Sequence, residues 1–499
     1  MSEFSPATCP EVFVSHTAIS DAVYAAVGRG ELRKIGSRLY TRNLTEDPER
    51  LVRRNWYHLI TSYYPDALIT DRTALENKPA ADGSVFLISE KGSETALPGL
   101  TFRPRKGAAA IDSDKPFAGG ALLASTPRAY LENMRASRAR GGRVPRTLTR
   151  EELEQRLDAL LRTQGEGALN KLRDDARAIA SSLGLEAEFD ELNDLIGAYL
   201  GTREAKTESA VGRARAAGQP FDPDRIVLFE NLFGALREAI PAPRIASAQT
   251  ATAIANLAFF EAYFSNFIEG TEFSVGEARE IVFEGAIPAE RPEDAHDVLG
   301  TFRIVSDVQD MSILPANAEE LDALLRRRHG TLMQARPDKH PGSYKTKVNQ
   351  AGSTVFVAPE LVNGTLERGF EFYRALEEPF QRAVFMMMLV SEVHPFADGN
   401  GRTARIMMNA ELVAAGEERI VIPTVYRSHY LSALKALSQS GRAEPLIHML
   451  DFAQKWTAAI DWRTVEETRR ELDACNAFVD PAVADEEGKR LRLPDRMGA

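Results

Sequence analysis

At 499 residues the chain is longer than one ordinary core organises, so two or three domains are expected, and its two cysteines, Cys9 and Cys475, exclude a disulfide framework and a Cys-based zinc site. The net charge of −11 is uneven: residues 1–150 hold 22 Lys and Arg against 16 Asp and Glu, leaving −17 on the remainder. No segment has the form of a signal peptide and the longest apolar run, residues 383–390, is too short to span a bilayer, so a soluble cytoplasmic protein with no membrane partner is expected.

Residues 12–42 predict a small helix followed by a hairpin. Ile19, Val23, Ala26 and Val27 keep helical spacing, Gly28-Arg29-Gly30 ends the run, and residues 32–35 and 39–41 read as strands around Gly36-Ser37. That is the order of a winged helix, and Arg29, Arg33, Lys34, Arg38 and Arg42 on its exposed parts could meet DNA phosphates. A solvated small domain whose arginines serve solubility is the competing reading. The pieces Leu39-Tyr40, Trp56-Tyr57, Tyr63-Tyr64-Pro65-Asp66-Ala67, Thr73-Ala74-Leu75 and Leu97-Pro98-Gly99-Leu100 loosely resemble AbiEi-like antitoxin and regulator domains, which are winged-helix proteins with a following mixed α/β part. The resemblance covers about residues 10–145 and implies a winged-helix-like α/β domain over 1–147, with DNA as a candidate partner.

Residues 135–150, with Arg135, Arg138, Arg140, Arg143 and Arg146 among glycines, read as a basic connector. Thr149 and Glu152 have capping-box spacing, and Leu153, Leu157, Leu160 and Leu161 continue an amphipathic helix, so residues 148–204 are expected to be a helical spacer.

A longer helix is predicted from about 250 to 267, with Ile254, Leu257, Phe260, Phe264 and Phe267 on one side and Gly270 placed to stop it. Glu269 then lies at the negative end of the helix dipole, where a carboxylate needs a cation as partner or must be solvated. Residues 294–307 and 318–334 also read as helices. Residues 344–350 and 354–357 are β-prone runs around Ala351-Gly352-Ser353 and predict a hairpin.

The densest chemistry lies at 394–405. An apolar helix over 380–393 must end at His394, because Pro395 disfavours helical geometry before it and Gly399 and Gly401 free the backbone to turn. A second helix starts near Arg402. Its unpaired N-terminal amides, at Gly399, Asn400 and Gly401, and the two arginines Arg402 and Arg405 beside them form a cradle for a polyphosphate. His394 is a candidate general base for a hydroxyl, and Asp398 offers the hard oxygen that Mg²⁺ on phosphates requires. Base, metal carboxylate, anion nest and cations together read as a nucleotidyl- or phosphoryl-transfer site.

The run His394-Pro395-Phe396-Ala397-Asp398-Gly399-Asn400-Gly401-Arg402-Thr403-Ala404-Arg405 fills every fixed position of His-Pro-Phe-x-Asp-Gly-Asn-Gly-Arg-x-x-Arg, and so resembles the Fic family. The resemblance covers about residues 205–470. It implies a mainly α-helical bundle with a β-hairpin flap, moving AMP from ATP, with Mg²⁺, onto a Tyr, Thr or Ser hydroxyl of a target protein. Ser265-Asn266-Phe267-Ile268-Glu269-Gly270 likewise resembles the family's Ser/Thr-x-x-x-Glu-Gly/Asn inhibitory motif. It implies that Glu269 pairs with Arg405 and restrains ATP, with Ser265 and Gly270 completing the motif.

The resemblance further implies that the hairpin receives the target by strand addition, with Lys347 and Val348 as contacts. Asn409, two turns from Arg402, is expected near the nucleoside, and Tyr426, Arg427 and Tyr430 resemble the family's next helix, whose aromatic and polar residues border the adenine pocket. Removal of AMP, use of another nucleotide, a DNA-binding regulator or toxin–antitoxin role with this domain as effector, self-modification and dimerisation are left open. Residues 471–499 read as a charged tail, within which the Pro- and Gly-punctuated residues 480–499 fit a mobile segment.

Overall fold

The computed structural model describes residues 4–139, 141–239 and 241–494, and the chain divides into two compact units, Met1–Gly218 and Gln219–Ala499. It is mostly helical, and the strands of the first unit and a short hairpin in the second make up its sheets.

The first unit opens with a three-stranded antiparallel sheet in the order Val12–Val14, Leu39–Thr41, Arg33–Gly36, against which the helix Ser20–Gly28 buries Val23 and Ala26. The expected helix and hairpin are therefore present, with a strand ahead of them. Four of the five candidate phosphate-facing cations are engaged within the unit. Arg29 pairs with Glu31 at 2.9 Å, Arg38 Nε donates to the Ser15 carbonyl at 2.9 Å, Arg42 donates to the Ala7 carbonyl at 3.3 Å, and Arg33 donates to the Glu46 carbonyl.

A six-stranded mixed sheet follows, in the order Thr95–Leu97, Leu100–Arg105, Ser84–Ile88, Leu68–Ile69, Leu122–Leu123, Lys115–Pro116. All five side chains of Ser84–Ile88 are buried, which suits a central strand covered on both faces. Beside it Asp71 is fully buried at φ +53°, gripped by Arg105 at 2.8 Å and Arg146 at 2.5 Å.

Two expectations change here. Residues 148–204 do not stand apart as a spacer: Leu153, Leu157, Leu172, Leu192 and Leu195 share one core with Tyr130 and Leu131 of the helix Thr126–Met134. An amphipathic helix must bury its apolar stripe somewhere, and the nearest apolar face is the preceding helix. The Thr149/Glu152 capping box does form. The basic run at 135–150 is held down, with Arg135 on Glu188 at 2.7 Å and Arg146 on Asp71; Arg140 lies outside the described residues.

In the second unit the helix Pro379–Val393 is the centre of the core. Residues 383–390 are all fully buried, as a helix apolar on every side must be. It packs along the helix Asn400–Ala414 and is flanked by Pro223–Glu238 and Val362–Arg374. Ala251–Ile268, Pro292–Val305 and Ala318–Leu332 match the predicted helices within two residues at each end. The expected mobile tail is corrected as far as residue 494. The helices Val465–Ala474 and Pro481–Glu487 bring Leu472, Cys475, Ala477 and Ala484 into a core with Phe260, Phe264 and Trp462. Those apolar residues are too sparse along the chain to signal packing by periodicity. Residues 495–499 lie outside the described residues. No helix of the described residues is long and apolar enough to cross a membrane.

Candidate active site

The loop between the two central helices is shaped by its own residues. His394 takes the left-handed conformation, φ +52° and ψ +57°, and its amide donates to the Val390 carbonyl at 2.9 Å, closing the helix where Pro395 forbids another turn. Asn400 fastens the loop into a ring: its Oδ1 accepts the Phe396 amide at 2.8 Å and its Nδ2 donates to the Phe396 carbonyl at 2.9 Å. Gly399 sits at φ +73° with Met333 Sδ 2.8 Å from where a Cβ would stand, so a larger residue there would be strained and would have to push the methionine aside.

His394 Nδ1 lies 3.1 Å from the Ser391 carbonyl, which can only accept, so Nδ1 carries the proton and Nε2 the lone pair. The ring stacks on Phe356 with centroids 3.7 Å apart and planes 7° from parallel. Burial pushes its pKa down to about 4, against the Ser391 carbonyl, which favours the protonated ring, and with the Lys345 ammonium, which disfavours it. A neutral imidazole with a bare Nε2 is the form a general base requires.

Glu269 caps the C-terminal end of Ala251–Ile268, and its partner is the cation that the dipole argument demands. Arg405 Nη2 donates to Glu269 Oε1 at 2.6 Å and to the Ser265 carbonyl at 2.8 Å, while Arg405 Nε donates to Ser265 Oγ at 3.0 Å. Desolvation works against the Glu269 carboxylate, but the Arg405 guanidinium outweighs it and holds the pKa below the usual carboxylate range. Gly270, at φ +92°, ends the helix as expected. Arg402 is turned to a different pair, donating to Asp297 at 2.6 Å and Asn266 Oδ1 at 3.3 Å. Asp398 has a half-exposed side chain, one oxygen of which accepts the Gly399 amide at 2.6 Å.

The structure thus gathers His394, Asp398, Gly399, Asn400, Gly401, Arg402, Arg405, Ser265, Glu269 and Gly270 around one loop. It does not bring Asn409 there. Asn409 is fully buried, its Nδ2 donating to Glu261 at 2.8 Å and to the Ile420 carbonyl, and its Oδ1 accepting the Ile420 amide. Helical spacing placed it on the right helix but could not show that the main chain at Ile420 returns to satisfy it. Tyr430 is buried under Arg405, whose guanidinium lies 5.9 Å from its ring centre, with its hydroxyl toward Met387 Sδ. Tyr426 borders a separate cavity of about 570 Å³ with His429, His448 and Asp485. The flap is shorter than predicted, Gln350–Ala351 paired with Thr354–Val355, and Lys347 and Val348 are exposed beside it.

Sequence reasoning missed several supporting residues. His329 accepts the Gly342 amide at Nδ1 and donates from Nε2 to the Asp398 carbonyl at 3.0 Å, and its ring stacks on Phe396. Arg427, expected only beside the nucleoside-pocket tyrosines, donates to the Ile268 carbonyl at 3.0 Å and places a cation at the end of the helix that carries Glu269. Arg225 bridges Glu392 and the Val355 carbonyl, each at 2.8 Å. No local pattern marks these residues, since their partners lie tens to hundreds of positions away.

A helix start, where the dipole and the N-terminal amides favour anions, beside an oriented imidazole is an arrangement suited to chemistry on an anionic substrate. Residues 320–412 match the family model described as Fic/DOC family, so the chain carries a Fic domain. The proteins named protein adenylyltransferase fic-1 from Caenorhabditis briggsae and Caenorhabditis elegans are each 28% identical over 183 residues, 35% of this chain and 36% of theirs. Protein adenylyltransferase Fic from Nematostella vectensis is 26% identical over 275 residues, 53% of this chain and 63% of its own. Among solved structures, Fic-1 (residues 134–508) from C. elegans is 19% identical, covering 65% of this chain and 92% of that one at a TM-score of 0.35. The chain spans about a third of the length of the fic-1 relatives it matches.

Proposed function

We propose that this protein is an autoinhibited adenylyltransferase that transfers AMP from ATP to a Tyr, Thr or Ser hydroxyl of a protein. The observation that carries the reading is the fixed tautomer of His394: with Nδ1–H held by the Ser391 carbonyl, Nε2 is the base, one loop away from the helix start at Asn400. The names of the relatives agree with it.

In this reading the amides at 399–401 with Arg402 bind the α- and β-phosphates, which requires Arg402 to share itself between them and Asp297. His394 Nε2 removes the proton from the target hydroxyl as its oxygen forms a bond to the α-phosphorus, and the bond to the bridging oxygen breaks in line, releasing pyrophosphate. A single half-exposed carboxylate next to a phosphate cradle fits Mg²⁺, which keeps waters and takes its other ligands from phosphate; Asp398 would hold it, and the ion would supply charge neutralisation on the phosphates. Lys347 and Val348 present the exposed flap margin to the target. Glu269, bound to Arg405, keeps that arginine from the γ-phosphate and restrains the enzyme.

The test is labelled ATP added to host lysate with the native chain, Glu269→Gly, and Glu269→Gly/His394→Ala. Transfer that rises strongly in the single variant and vanishes in the double is expected. Equal labelling by all three would sink the reading. Supplying GTP, UTP and a pre-modified target in parallel distinguishes use of another nucleotide and AMP removal. For the first unit, the helix and hairpin favour a winged-helix reading, with Lys34 the candidate cation for which no bond is described. Salt-insensitive or absent duplex DNA binding by the full chain would remove it.

A further inference from the structure

Lys345 is buried, yet it makes no ion pair with a carboxylate among the described residues. A buried ammonium without a counter-charge is costly and calls for strong compensation. Its bonds surround His394. The Lys345 amide donates to the Pro395 carbonyl at 2.9 Å, just after the histidine, and Nζ donates to the Val393 carbonyl at 3.4 Å, just before it. Nζ also donates to Asn349 Oδ1 at 2.7 Å, and Asn349 Nδ2 reaches the Phe396 carbonyl at 2.9 Å. Three main-chain carbonyls within four residues are thus seized by two residues of the segment leading into the flap. The same segment delivers Phe356, whose amide donates to the Asn349 carbonyl at 3.2 Å and whose ring covers the imidazole.

The arrangement has a physical purpose. A non-glycine residue in the left-handed region is strained by about 1 kcal/mol or more, so His394 holds its conformation only if its neighbours over-determine it. The Val393 carbonyl is an orphan acceptor at a helix C-terminus, where a cation is also favoured by the dipole. We propose that Lys345, acting with Asn349, is a positioning residue for His394: it locks the left-handed turn from the flap side, so that the flap and the base keep one register. The proposal rests on the transferase reading for its kinetic consequence but not for its structural one.

The test uses the full chain in the Glu269→Gly background, comparing Lys345→Met, which removes the charge at similar volume, with Lys345→Arg, which keeps a cation. Two readouts are taken: the tautomer of His394 from ¹⁵N-imidazole NMR, assigned by comparison with His394→Ala, and kcat with KM for ATP. Lys345→Met is expected to turn the single Nδ1–H tautomer into a mixture and to lower kcat roughly 10- to 100-fold with KM within about threefold. Lys345→Arg is expected to keep the single tautomer and most of kcat. An unchanged tautomer in Lys345→Met, or losses shared equally by both variants in step with a fall in Tm, would overturn the proposal. If the Glu269→Gly chain transfers no AMP, the transferase reading fails, and the tautomer alone then decides the role of Lys345. Should Lys345→Met not fold, Asn349→Ala breaks the link to Phe396 while keeping the cation. The same mixture is expected there, and a single tautomer would count against the proposal.

Discussion

The Glu269 carboxylate lies so close to Gly401 that a Cβ at that position would stand 2.3 Å from its Oε1. One glycine therefore makes room for the Glu269 side chain over the start of the helix Asn400–Ala414, where the macrodipole attracts negative charge. The carboxylate has two attractions, the Arg405 guanidinium and the helix end, and it occupies ground that an incoming phosphate would seek.

Gly401→Ala and Glu269→Gly are expected to be coupled. Alone, the alanine must displace the carboxylate from Arg405; with residue 269 truncated, that conflict disappears. Urea unfolding of the four chains of the cycle should give a coupling of about 1 kcal/mol or more, and additive effects would show that the carboxylate does not hold this position in solution.

His394 and His329, each stacked on a phenylalanine ring, predict a pH dependence. Burial holds His394 and His329 at about 4, against an ordinary value of 6.5, so the unfolded chain takes up these protons first. Each contributes stability that is complete above 6.5 and lost as pH falls toward 4. His329→Asn should flatten that part of the slope in unfolding measurements, and an identical slope would contradict the assignment. Glu269 has the same sign at lower pH. Its depressed value means that the stability it gains from Arg405 is present above about 4.5 and is lost as pH falls through the folded value.

In kinetics, His394→Ala in the Glu269→Gly background should cost about 10²- to 10⁴-fold in kcat while KM for ATP stays within a few-fold, because the proposed role sets the imidazole on the hydroxyl and not on the phosphates. A rise in KM with kcat intact would assign the ring to nucleotide binding instead.

In the first unit, Asp71→Asn is expected to cost about 3–5 kcal/mol in that unit's unfolding transition, since it leaves Arg105 and Arg146 facing a neutral amide in a buried setting. A loss below about 1 kcal/mol would show that Glu132, 3.2 Å from Arg105, compensates the charge alone.

What could be read from the sequence was what lies consecutively in it. The loop at 394–405 carries its chemistry in twelve adjacent residues, and Glu269, which helix position alone left either paired or solvated, drew its partner Arg405 from the resemblance of residues 265–270 to the inhibitory motif. Asn409 shows the limit: helical spacing gives the face of a residue, but whether that face meets a ligand or the chain at Ile420 depends on a segment eleven positions on. His329 and Lys345 left no trace because each acts on a carbonyl contributed by a remote stretch, and any residue type presents the same carbonyl. The packing of residues 471–494 was hidden for a related reason, since a few apolar side chains at irregular spacing suffice once Phe260 and Phe264 offer a ready surface.

The reciprocal pair of bonds between Asn400 and the Phe396 main chain makes the loop self-supporting. On the proposed function, a nucleotide arriving there would find its donors already arrayed and need not freeze a mobile segment before being held. Conformational entropy would then be little obstacle to affinity, and what would oppose binding is the displacement of the Glu269 carboxylate.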